Sequence, residues 1–296
     1  MPELPDVTVY VECLTPKILG QVLDGVRLPS LFLLRTVEPK LEAFAGRHVQ
    51  SLERLGKRLV FGFEGDLYLV LHLMIAGRLK WSDQRAAKLI GRIGLCAFDF
   101  QSGTLQLTEA GTKRRASLHA VRGREGLKVH DRGGLEPLSA DFPGFEAALL
   151  SGNHTLKRAL TDPTKFSGIG NAYSDEILHA AQLSPLRLTS RLDEEERRRL
   201  YQATQAVLQD WTQRLRDDAA AHGGWPEKVT AFREGMAVHG RYKEPCPVCG
   251  TKVQRVVYAE NETNYCPKCQ NEGRLLADRS LSRLLKEDWP KSIDEL

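Results

Sequence analysis

Long hydrophobic runs are missing from this 296-residue sequence. No window approaches the roughly 18 uninterrupted apolar residues of a membrane-spanning helix, so we expect none. The N-terminus has no basic segment followed by an apolar one, so no secretory signal is expected either. The chain also lacks the G-x-x-x-x-G-K-[ST] and G-x-G-x-x-G patterns, which leaves functions based on a nucleotide cofactor without support. No internal repeat or low-complexity tract is present.

Cysteine is scarce, with six residues in the whole chain. Because nothing indicates secretion, we expect a reducing compartment, and thiols or metal ligands instead of disulfides. Two C-x-x-C pairs lie sixteen residues apart and comprise Cys246, Cys249, Cys266 and Cys269. Two such pairs can supply the four sulfurs of a tetrahedral site. The spacing therefore predicts one structural Zn²⁺ with no open coordination position; disulfides or a redox pair are the alternatives.

Basic residues only slightly outnumber acidic ones, and the formal net charge is +4. The distribution is more informative than the total. Residues 108–132 contain seven basic side chains against three acidic ones, and residues 239–258 contain four against one. A basic run is usually a solvated face, but two separate runs favour a polyanionic partner such as nucleic acid.

The length and the pattern of apolar residues indicate about two domains. Residues 5–20 are expected to form a helix, which Pro16 limits, and two β-hairpins are expected at 59–73 and 95–107. Residues 131–150 are interpreted as a linker because they begin with many helix and strand breakers. A capping box at 193–196 starts a helical stripe that Gly223 and Gly224 end. A β-hairpin is expected between the cysteine pairs, and a short helix around 281–285.

Two short segments carry chemistry. Met1 precedes the small residue Pro2, so we expect removal of Met1 and a secondary-amine N-terminus beside Glu3. An α-amino group titrates near about 7.7–8.0 and can attack an aldehyde-like carbon to form an iminium, with Glu3 positioned for proton transfer. Farther along, Gly168 and Gly170 precede a helix start at Asn171, where exposed backbone amides attract phosphate. Each segment alone is also compatible with an ordinary terminus or turn.

Four segments in order resemble the formamidopyrimidine-DNA glycosylase and endonuclease VIII family. They are PELPDV at 2–7, RLGKR at 54–58, GIGNAYSDE at 168–176, and GRYKEPCPVCG at 240–250 followed by Cys266 and Cys269. The resemblance covers nearly the whole chain. It implies an α+β multidomain fold: an N-terminal β-sandwich with flanking helices, a helix–two-turns–helix domain and a C-terminal zinc-finger β-hairpin. The corresponding boundaries are 1–130, 131–150 for the linker, 151–235, 236–270, and 271–296 for the tail.

The resemblance also implies an activity, namely a bifunctional DNA glycosylase and AP lyase of base excision repair. Such an enzyme excises a damaged, typically oxidised, base and then cleaves the abasic strand by β-elimination, with δ-elimination left open. The implied partner is double-stranded DNA with a damaged base or an abasic site. The protein is expected to be a monomer and to have no membrane partner. Its expected location is the cytoplasm, in association with the nucleoid.

Site residues follow from the same resemblance. Pro2 is the implied Schiff-base nucleophile, Glu3 the acid that helps to open the sugar, and Lys57 a DNA contact that assists proton transfer. The implied DNA-binding residues are Asn171, Lys157, Arg114 and Arg255.

The sequence departs from the family pattern at three places. Asp6 replaces the usual glutamate. Asn261 stands where an arginine usually grips phosphates, and Arg255 can substitute for that arginine only if the hairpin is rearranged. Residues 108–117 keep two arginines but lack the aromatic wedge, which leaves Met74 or Ile75 to fill the gap of a flipped base. These departures keep open a second hypothesis, a non-catalytic zinc-containing protein that binds damaged or distorted DNA.

Overall fold

Two compact units make up the fold in a computed structural model. The structure describes residues 1–111, 113–227, 229, 233–258, 261–277 and 290–295. The first unit comprises Met1–Arg132 and Trp211–Val229, and the second comprises Gly133–Asp210 and Thr230–Leu296. Within the described ranges, none of the helices has both the length and the apolar character required to cross a membrane.

The first unit contains helix α1 (Leu4–Ile18) and two four-stranded antiparallel sheets. One sheet has the order β1-β6-β7-β5, and the other has the order β2-β3-β4-β8. The strands are β1 (Leu23–Arg27), β2 (Val49–Leu55), β3 (Arg58–Phe63), β4 (Leu67–His72), β5 (Gly77–Ser82), β6 (Gly94–Phe100), β7 (Gly103–Glu109) and β8 (Ser117–Arg122).

Alternation of apolar side chains along the strands builds one core between the sheets. Phe61 of β3 stacks on Phe98 of β6 with 5.7 Å between ring centroids, which joins the two sheets. Tyr10 and Leu14 of α1 are buried in the same cluster. The predicted β-sandwich and the helix near the N-terminus are thereby confirmed, as are the two hairpins.

The second unit is helical in its first part. It contains α2 (Phe142–Leu150), α3 (Leu156–Thr161), α4 (Asn171–Ala180) and the first part of α5 (Glu194–Ala221), whose last residues belong to the first unit. Asp193 Oδ1 accepts from the Glu196 backbone N–H at 2.8 Å, and Glu196 Oε2 accepts from the Asp193 N–H at 3.1 Å, so the predicted capping box is present.

The C-terminal part of this unit contains a two-stranded sheet followed by a short helix. Strands β9 (Gln254–Tyr258) and β10 (Asn261–Tyr265) are antiparallel, which confirms the predicted hairpin. Helix α6 (Pro267–Asn271) begins directly after Cys266. The short helix predicted around 281–285 lies outside the described residues.

The stretch 131–150 differs from the linker expected from its sequence. Its second half is helix α2, in which Phe145 and Leu149 are fully buried. The breakers do not prevent this helix because they occupy its start. Pro143 lies in the first turn, where no backbone donor is needed, and Asp141 Oδ1 accepts from the Gly144 N–H at 2.9 Å.

Candidate functional site

Helix α1 positions the N-terminal acid. Glu3 is the N-cap residue and is only 1% exposed. Its backbone N–H donates to Asp6 Oδ2 at 2.7 Å, and the Asp6 backbone N–H donates to the Glu3 carboxylate in return. This capping box fixes the Glu3 carboxylate at the positive end of the helix dipole. The Asp6 carboxylate therefore serves as the N3 acceptor of the capping box. The side chain of Asp6, which is shorter than the glutamate usual in the family, makes this contact at the start of the helix.

The N-terminal amine lies in a mixed field of charges. Burial lowers the pKa of the Met1 α-amino group. Arg78 and Lys57 lower this pKa further, while Glu3 and Asp6 oppose them. The structure therefore brings Lys57 and Glu3 into electrostatic reach of one amine, and the catalytic roles implied for both residues stay predictions. Arg78 was not selected from the sequence, because a basic residue at the start of a strand carries no recognisable signal.

Pro2 itself is buried, and its nitrogen is an amide as long as Met1 precedes it. An amide nitrogen is not nucleophilic. Removal of Met1 converts it to a secondary amine among the same neighbouring charges. The chemistry predicted for Pro2 consequently depends on processing of the chain.

A two-residue turn presents Lys57. Leu55 and Arg58 pair across β2 and β3, so Gly56 and Lys57 form the tip of the hairpin. Gly56 has φ of +60°, which a first central glycine allows in a type II′ turn. The Arg54 Nη1 donates to the Gly56 carbonyl at 2.8 Å and stiffens the tip.

A second tight turn carries the apolar candidates for filling the gap of a flipped base. Gly77 N–H donates to the Leu73 carbonyl at 2.9 Å, and a Cβ on Gly77 would lie 2.2 Å from that oxygen, so glycine is required. Met74 has φ of +53° at the tip, and Ile75 is 54% exposed. Arg78 Nη1 donates to the Gly77 carbonyl at 2.7 Å and fixes the turn.

Arg114 lies in the loop between β7 and β8 and is exposed. Its guanidinium donates to the Arg92 carbonyl at 2.6 Å. The buried Glu109 carboxylate accepts from the backbone N–H groups of Arg115 and Ala116, which shapes the end of this loop. The Glu109 carboxylate thus fixes the backbone at the end of this loop, and the Arg114 side chain remains exposed to solvent.

In the second unit, Asn171 is the first residue of α4. Its Nδ2 donates to the Glu262 carbonyl of β10 at 2.9 Å, so the zinc-finger hairpin is attached to the start of this helix. The preceding turn needs glycine, because Gly168 has φ of +78°. The predicted helix start after the glycine turn is confirmed; a phosphate contact of Asn171 stays a prediction.

Lys157, which the family resemblance implies as a DNA-binding residue, is engaged within the second unit, and a DNA contact of this residue stays a prediction. Its side chain is only 12% exposed, and Nζ donates to Asp175 Oδ1 at 2.5 Å and to the Asn171 carbonyl at 2.7 Å. The ammonium group is therefore committed to holding α3 against the start of α4. The physical reason is the fully buried Asp175 carboxylate, which needs a cationic partner.

Asp175 and Glu176 form an acidic pair whose role the sequence did not reveal. Asp175 Oδ2 accepts from His239 Nδ1 at 2.7 Å and from the Asn264 N–H at 3.2 Å. Glu176 accepts from the backbone N–H groups of Ala237, Val238 and His239 at 2.6–2.9 Å. Burial raises the pKa of Glu176, and the three backbone donors oppose that shift. Residues 237–239, which precede the zinc finger, are anchored to α4 by these contacts.

Arg255 occupies the exposed side of β9. Its Nη1 pairs with Glu262 Oε2 at 2.9 Å, and its guanidinium carbon lies 4.3 Å from the centre of the Tyr242 ring. Asn261, which replaces the arginine usual in the family, is an exposed first residue of β10. Arg255 is thus a cation on the zinc-finger hairpin that lies over the Tyr242 ring, at a position different from 261.

The four cysteines of the two C-x-x-C pairs converge on one point. Their Sγ atoms all lie within 4.8 Å of one another, with 3.4 Å between Cys249 and Cys266 and 3.9 Å between Cys246 and Cys269. A tetrahedral zinc with Zn–S bonds of about 2.3 Å places sulfurs about 3.8 Å apart. The donor set therefore suits one structural Zn²⁺, as predicted. His179 Nε2 lies 3.2 Å from Cys246 Sγ and supports that ligand.

Three family models match consecutive parts of the chain. The formamidopyrimidine-DNA glycosylase N-terminal domain matches residues 1–118, and the formamidopyrimidine-DNA glycosylase H2TH domain matches residues 134–216. The zinc finger found in FPG and IleRS matches residues 243–271.

Known proteins are similar over nearly the full length. The formamidopyrimidine-DNA glycosylase of Thermus thermophilus is 35% identical over 290 residues, which cover 92% of this chain and all of that protein. The crystal structure of MutM (Fpg) from the same organism has a TM-score of 0.75 at 34% identity, with 92% of this chain and 100% of that chain covered. The Lactococcus lactis Fpg in complex with DNA that contains an abasic site has a TM-score of 0.79 at 24% identity, which shows a shared fold; it covers 91% of this chain and 99% of that chain.

Proposed function

Because this chain belongs to the formamidopyrimidine-DNA glycosylase family, we propose that Pro2, freed of Met1, is the nucleophile of its reaction. The family consists of DNA glycosylases of base excision repair that also have AP lyase activity, and the chain is such an enzyme. Its partner is DNA that carries a lesion or an abasic site, and its cofactor is one structural zinc. The observation that carries the proposal is the convergence of Glu3 and Lys57 on the N-terminal amine.

The proposed reaction uses one covalent bond to the secondary amine of Pro2 for two steps. The Pro2 nitrogen attacks C1′ of the damaged nucleotide, the base departs, and opening of the sugar leaves an iminium between Pro2 and C1′. The iminium acidifies the C2′ proton, so loss of that proton expels the 3′ phosphate in a β-elimination. A single covalent intermediate thus serves both the glycosylase and the lyase step.

Glu3 and Lys57 are assigned the proton transfers. Glu3 is held rigidly by the capping box, and we assign it the protonation that opens the sugar. Lys57 stands on a stiff turn within electrostatic reach of the amine, and its positive charge favours an unprotonated amine as well as a nearby phosphate. Arg78 adds to the same effect. These charges support a Pro2 amine that is nucleophilic at neutral pH.

Phosphate contacts are assigned to the second unit. Asn171 lies at the start of α4, where backbone amides and the helix dipole attract an anion. Arg255 replaces the missing arginine at 261, with Tyr242 holding its guanidinium plane and Glu262 as the partner that it exchanges for phosphate. In that case an Arg255→Gln variant lowers the salt slope of DNA binding by about one counterion, whereas the exposed Arg274→Gln control does not.

Boundaries and location follow from this function. We assign catalysis to residues 1–130, DNA binding to residues 151–235, and support of the zinc-finger hairpin to residues 236–270. Helix α2 (Phe142–Leu150) directly precedes this range, and we assign it to the helical part that begins there and not to a linker. Chromosomal DNA as the substrate supports a nucleoid-associated location.

An oxidised base is the proposed lesion class. Ile75 or Met74 is the side chain proposed to fill the gap that the flipped base leaves in the duplex.

Borohydride trapping tests the nucleophile. The mature protein, with loss of Met1 verified by mass spectrometry, is incubated with abasic-site DNA and sodium borohydride. A covalent adduct is expected for the wild type and for Pro5→Ala, which keeps the Pro2 amine, but not for Pro2→Gly or for protein that retains Met1.

Two results would contradict the proposal. An adduct of undiminished yield in Pro2→Gly would assign the nucleophile to another residue. Tight binding of lesion DNA by correctly processed wild type, without an adduct and without strand cleavage after long incubation, would favour a non-catalytic protein that binds damaged DNA.

A further inference from the structure

A cluster of basic side chains lies on the first unit, on the face of the β2-β3-β4-β8 sheet that is opposite the main core. Arg58 of β3 pairs in register with His72 of β4, and His119 of β8 pairs with Val70 of β4. His130 follows the 3-10 segment Arg124–Val129, and its ring packs edge-on against His119 with 4.6 Å between centroids.

We call Arg58, His119 and His130, with the exposed Arg35 and Arg132 at the rim, the His119 cluster. Arg132 lies close enough to lower the pKa of Arg58, and Arg35 lowers the pKa of His119, in both cases after burial as the larger cause. These residues come from four different segments of the chain, so only the fold brings them together.

The arginines of this cluster have no acidic partner among the described residues. Within the described residues, none of Arg35, Arg58 and Arg132 forms an ion pair or a side-chain hydrogen bond. Arg58 is nevertheless half-buried, and its burial lowers the pKa of its guanidinium. A partly desolvated cation without a counter-ion is costly, and it indicates a site that an anion completes.

A second observation points the same way. His119 Nδ1 is buried and has no hydrogen-bond partner within the described residues. Buried polar atoms are nearly always paired, and an orphan one ordinarily marks a bound water molecule or ion. The ring of His119 interacts with the Val70 backbone, and a water molecule or an anion can complete the hydrogen bonding of Nδ1.

The histidines add proton acceptors to the cluster. Burial lowers the pKa of His130 to about 4, with His119 and Arg58 contributing. Burial also lowers the pKa of His119, and the backbone of Val70 opposes that shift only in part. Both rings are consequently neutral at neutral pH. A bound anion would stabilise their protonated form and allow each ring to donate.

A divalent metal does not suit this place. His119 and His130 could offer two nitrogens, but Arg58, Arg35 and Arg132 would repel a cation. No carboxylate is among the groups that shift the pKa of either ring. Guanidinium and imidazole together are instead the donors that recognise phosphate oxygens.

We propose that the His119 cluster is a phosphate-binding site, and that the phosphate is a backbone phosphodiester of the bound DNA. This assignment of the source rests on the proposed function. Arg58 directly follows Lys57 in the chain, so a DNA strand contacted by Lys57 brings its next phosphates within reach of Arg58. Phosphate contacts of this kind position the duplex and carry no base specificity.

The first arm of the test uses the DNA-free protein and inorganic phosphate. Chloride is replaced by phosphate at constant ionic strength while the ring signals of His119 and His130 are followed by NMR. Both signals are expected to shift with saturation in the wild type, and to be insensitive in Arg58→Gln. His130→Phe, which preserves the ring packing, replaces Arg58→Gln if that variant does not fold.

The second arm measures the salt dependence of binding to a duplex that contains a tetrahydrofuran abasic analogue. Arg58→Gln is expected to reduce the slope of log K against log salt concentration by about one. The same variant is expected to weaken binding to lesion-containing and lesion-free duplexes by a similar factor. The control is Arg85→Gln, which removes the same charge from an exposed pair with Asp24 and is expected to leave the slope unchanged.

The outcomes separate the two sources of phosphate. Histidine shifts with an unchanged salt slope would support the site and assign it to free phosphate. A response in neither arm would overturn the proposal. Borohydride trapping by wild type in the same preparations shows whether the glycosylase chemistry is present, so failure of the proposed function is distinguished from failure of this site.

Discussion

At the scale of single residues, the N-terminus joins two tasks in the same atoms. Glu3 caps α1 and is also the proposed acid, while Asp6 closes the capping box from the other side. A cap that is nearly inaccessible to solvent fixes a carboxylate with little conformational freedom, which catalysis requires. Substitutions of Glu3 or Asp6 are therefore expected to affect both the stability of the start of α1 and the proposed proton transfer.

Replacement of Glu3 by glutamine should separate these two tasks. The amide oxygen still accepts the Asp6 N–H, so α1 is expected to persist, but the proton for opening the sugar is lost. Base excision in single turnover is expected to fall by about 10²-fold or more. Borohydride trapping on DNA with a preformed abasic site is expected to be retained, because no base has to leave.

An equal loss of excision and trapping in Glu3→Gln would show that the residue matters only through the helix cap. Asp6→Asn is the matched control, because it disturbs the same capping box without removing the proposed acid. Its excision rate should remain much closer to that of the wild type.

At the scale of elements, helix α4 is an anchor. Its Asn171 contacts β10, its Asp175 binds His239 and the Asn264 backbone, and its Glu176 accepts from three successive backbone N–H groups. A single helix thus holds both flanks of the zinc-finger hairpin. Lys157 belongs to this anchor as well, since it neutralises the buried Asp175.

Removal of the Glu176 carboxylate should destabilise this anchor. Glu176→Ala leaves the N–H groups of residues 237–239 without an acceptor, at about 1–3 kcal/mol for each buried unpaired group. We expect the free energy of unfolding of the second unit to fall by about 3 kcal/mol, measured by urea denaturation of the zinc-loaded protein. Glu194→Ala, at an exposed position of α5, should stay within about 0.5 kcal/mol of the wild type. A loss of similar size in both variants would contradict the anchoring role.

At the scale of the whole molecule, the chain consists of two compact units, each with its own core. The first is a sandwich built from apolar side chains of two sheets. In the second, the zinc finger has only a small buried cluster, formed by Val238, Val253 and the cysteines. The zinc therefore supplies the stability that this small core lacks.

Removal of zinc should consequently act on one part of the molecule. Chelation is expected to abolish hydrogen-exchange protection across 236–270 and to weaken DNA binding, while β3 and β4 remain protected. Exchange followed by mass spectrometry, with and without chelator, measures this directly. Simultaneous loss of protection in both units would refute the modular picture, and recovery after addition of zinc controls for damage.

The pH dependence of stability follows from the buried histidines. His130 has a pKa of about 4 in the folded protein, below the value near 6.5 of an unfolded chain, so the unfolded state binds the proton first. The contribution of His130 to stability should therefore decrease as pH falls from about 6.5 towards 4, by at most about 1.4 kcal/mol per pH unit, and His72, whose pKa burial lowers to about 3, adds to the total slope. Urea unfolding of the first unit between about pH 7 and pH 5 measures the slope. His130→Phe should reduce it, and an unchanged slope would contradict a contribution from His130.

Much of the fold could be predicted, because its local signals agree with one another. The hairpins β3–β4 and β6–β7 follow from alternating apolar residues around short turns, and α5 begins at its capping box. Helix α2 was missed because Pro143 and Gly144 look like breakers in the sequence, although a first helical turn tolerates both. The burial of Lys157 against Asp175 could not be predicted, because a sequence does not show which basic side chain becomes buried against an acid.

The sequence by itself determined the zinc ligands and predicted an amine beside Glu3 once Met1 is removed, because C-x-x-C pairs and a terminal Pro-Glu are local and need little tertiary context. Only the tertiary structure decided that Arg78 joins Lys57 at the N-terminal amine, that Asp175 and Glu176 anchor the zinc finger, and that Arg58, His119 and His130 meet on one sheet. The physical reason is that burial and charge proximity depend on strand register and helix packing, which bring together residues distant in sequence.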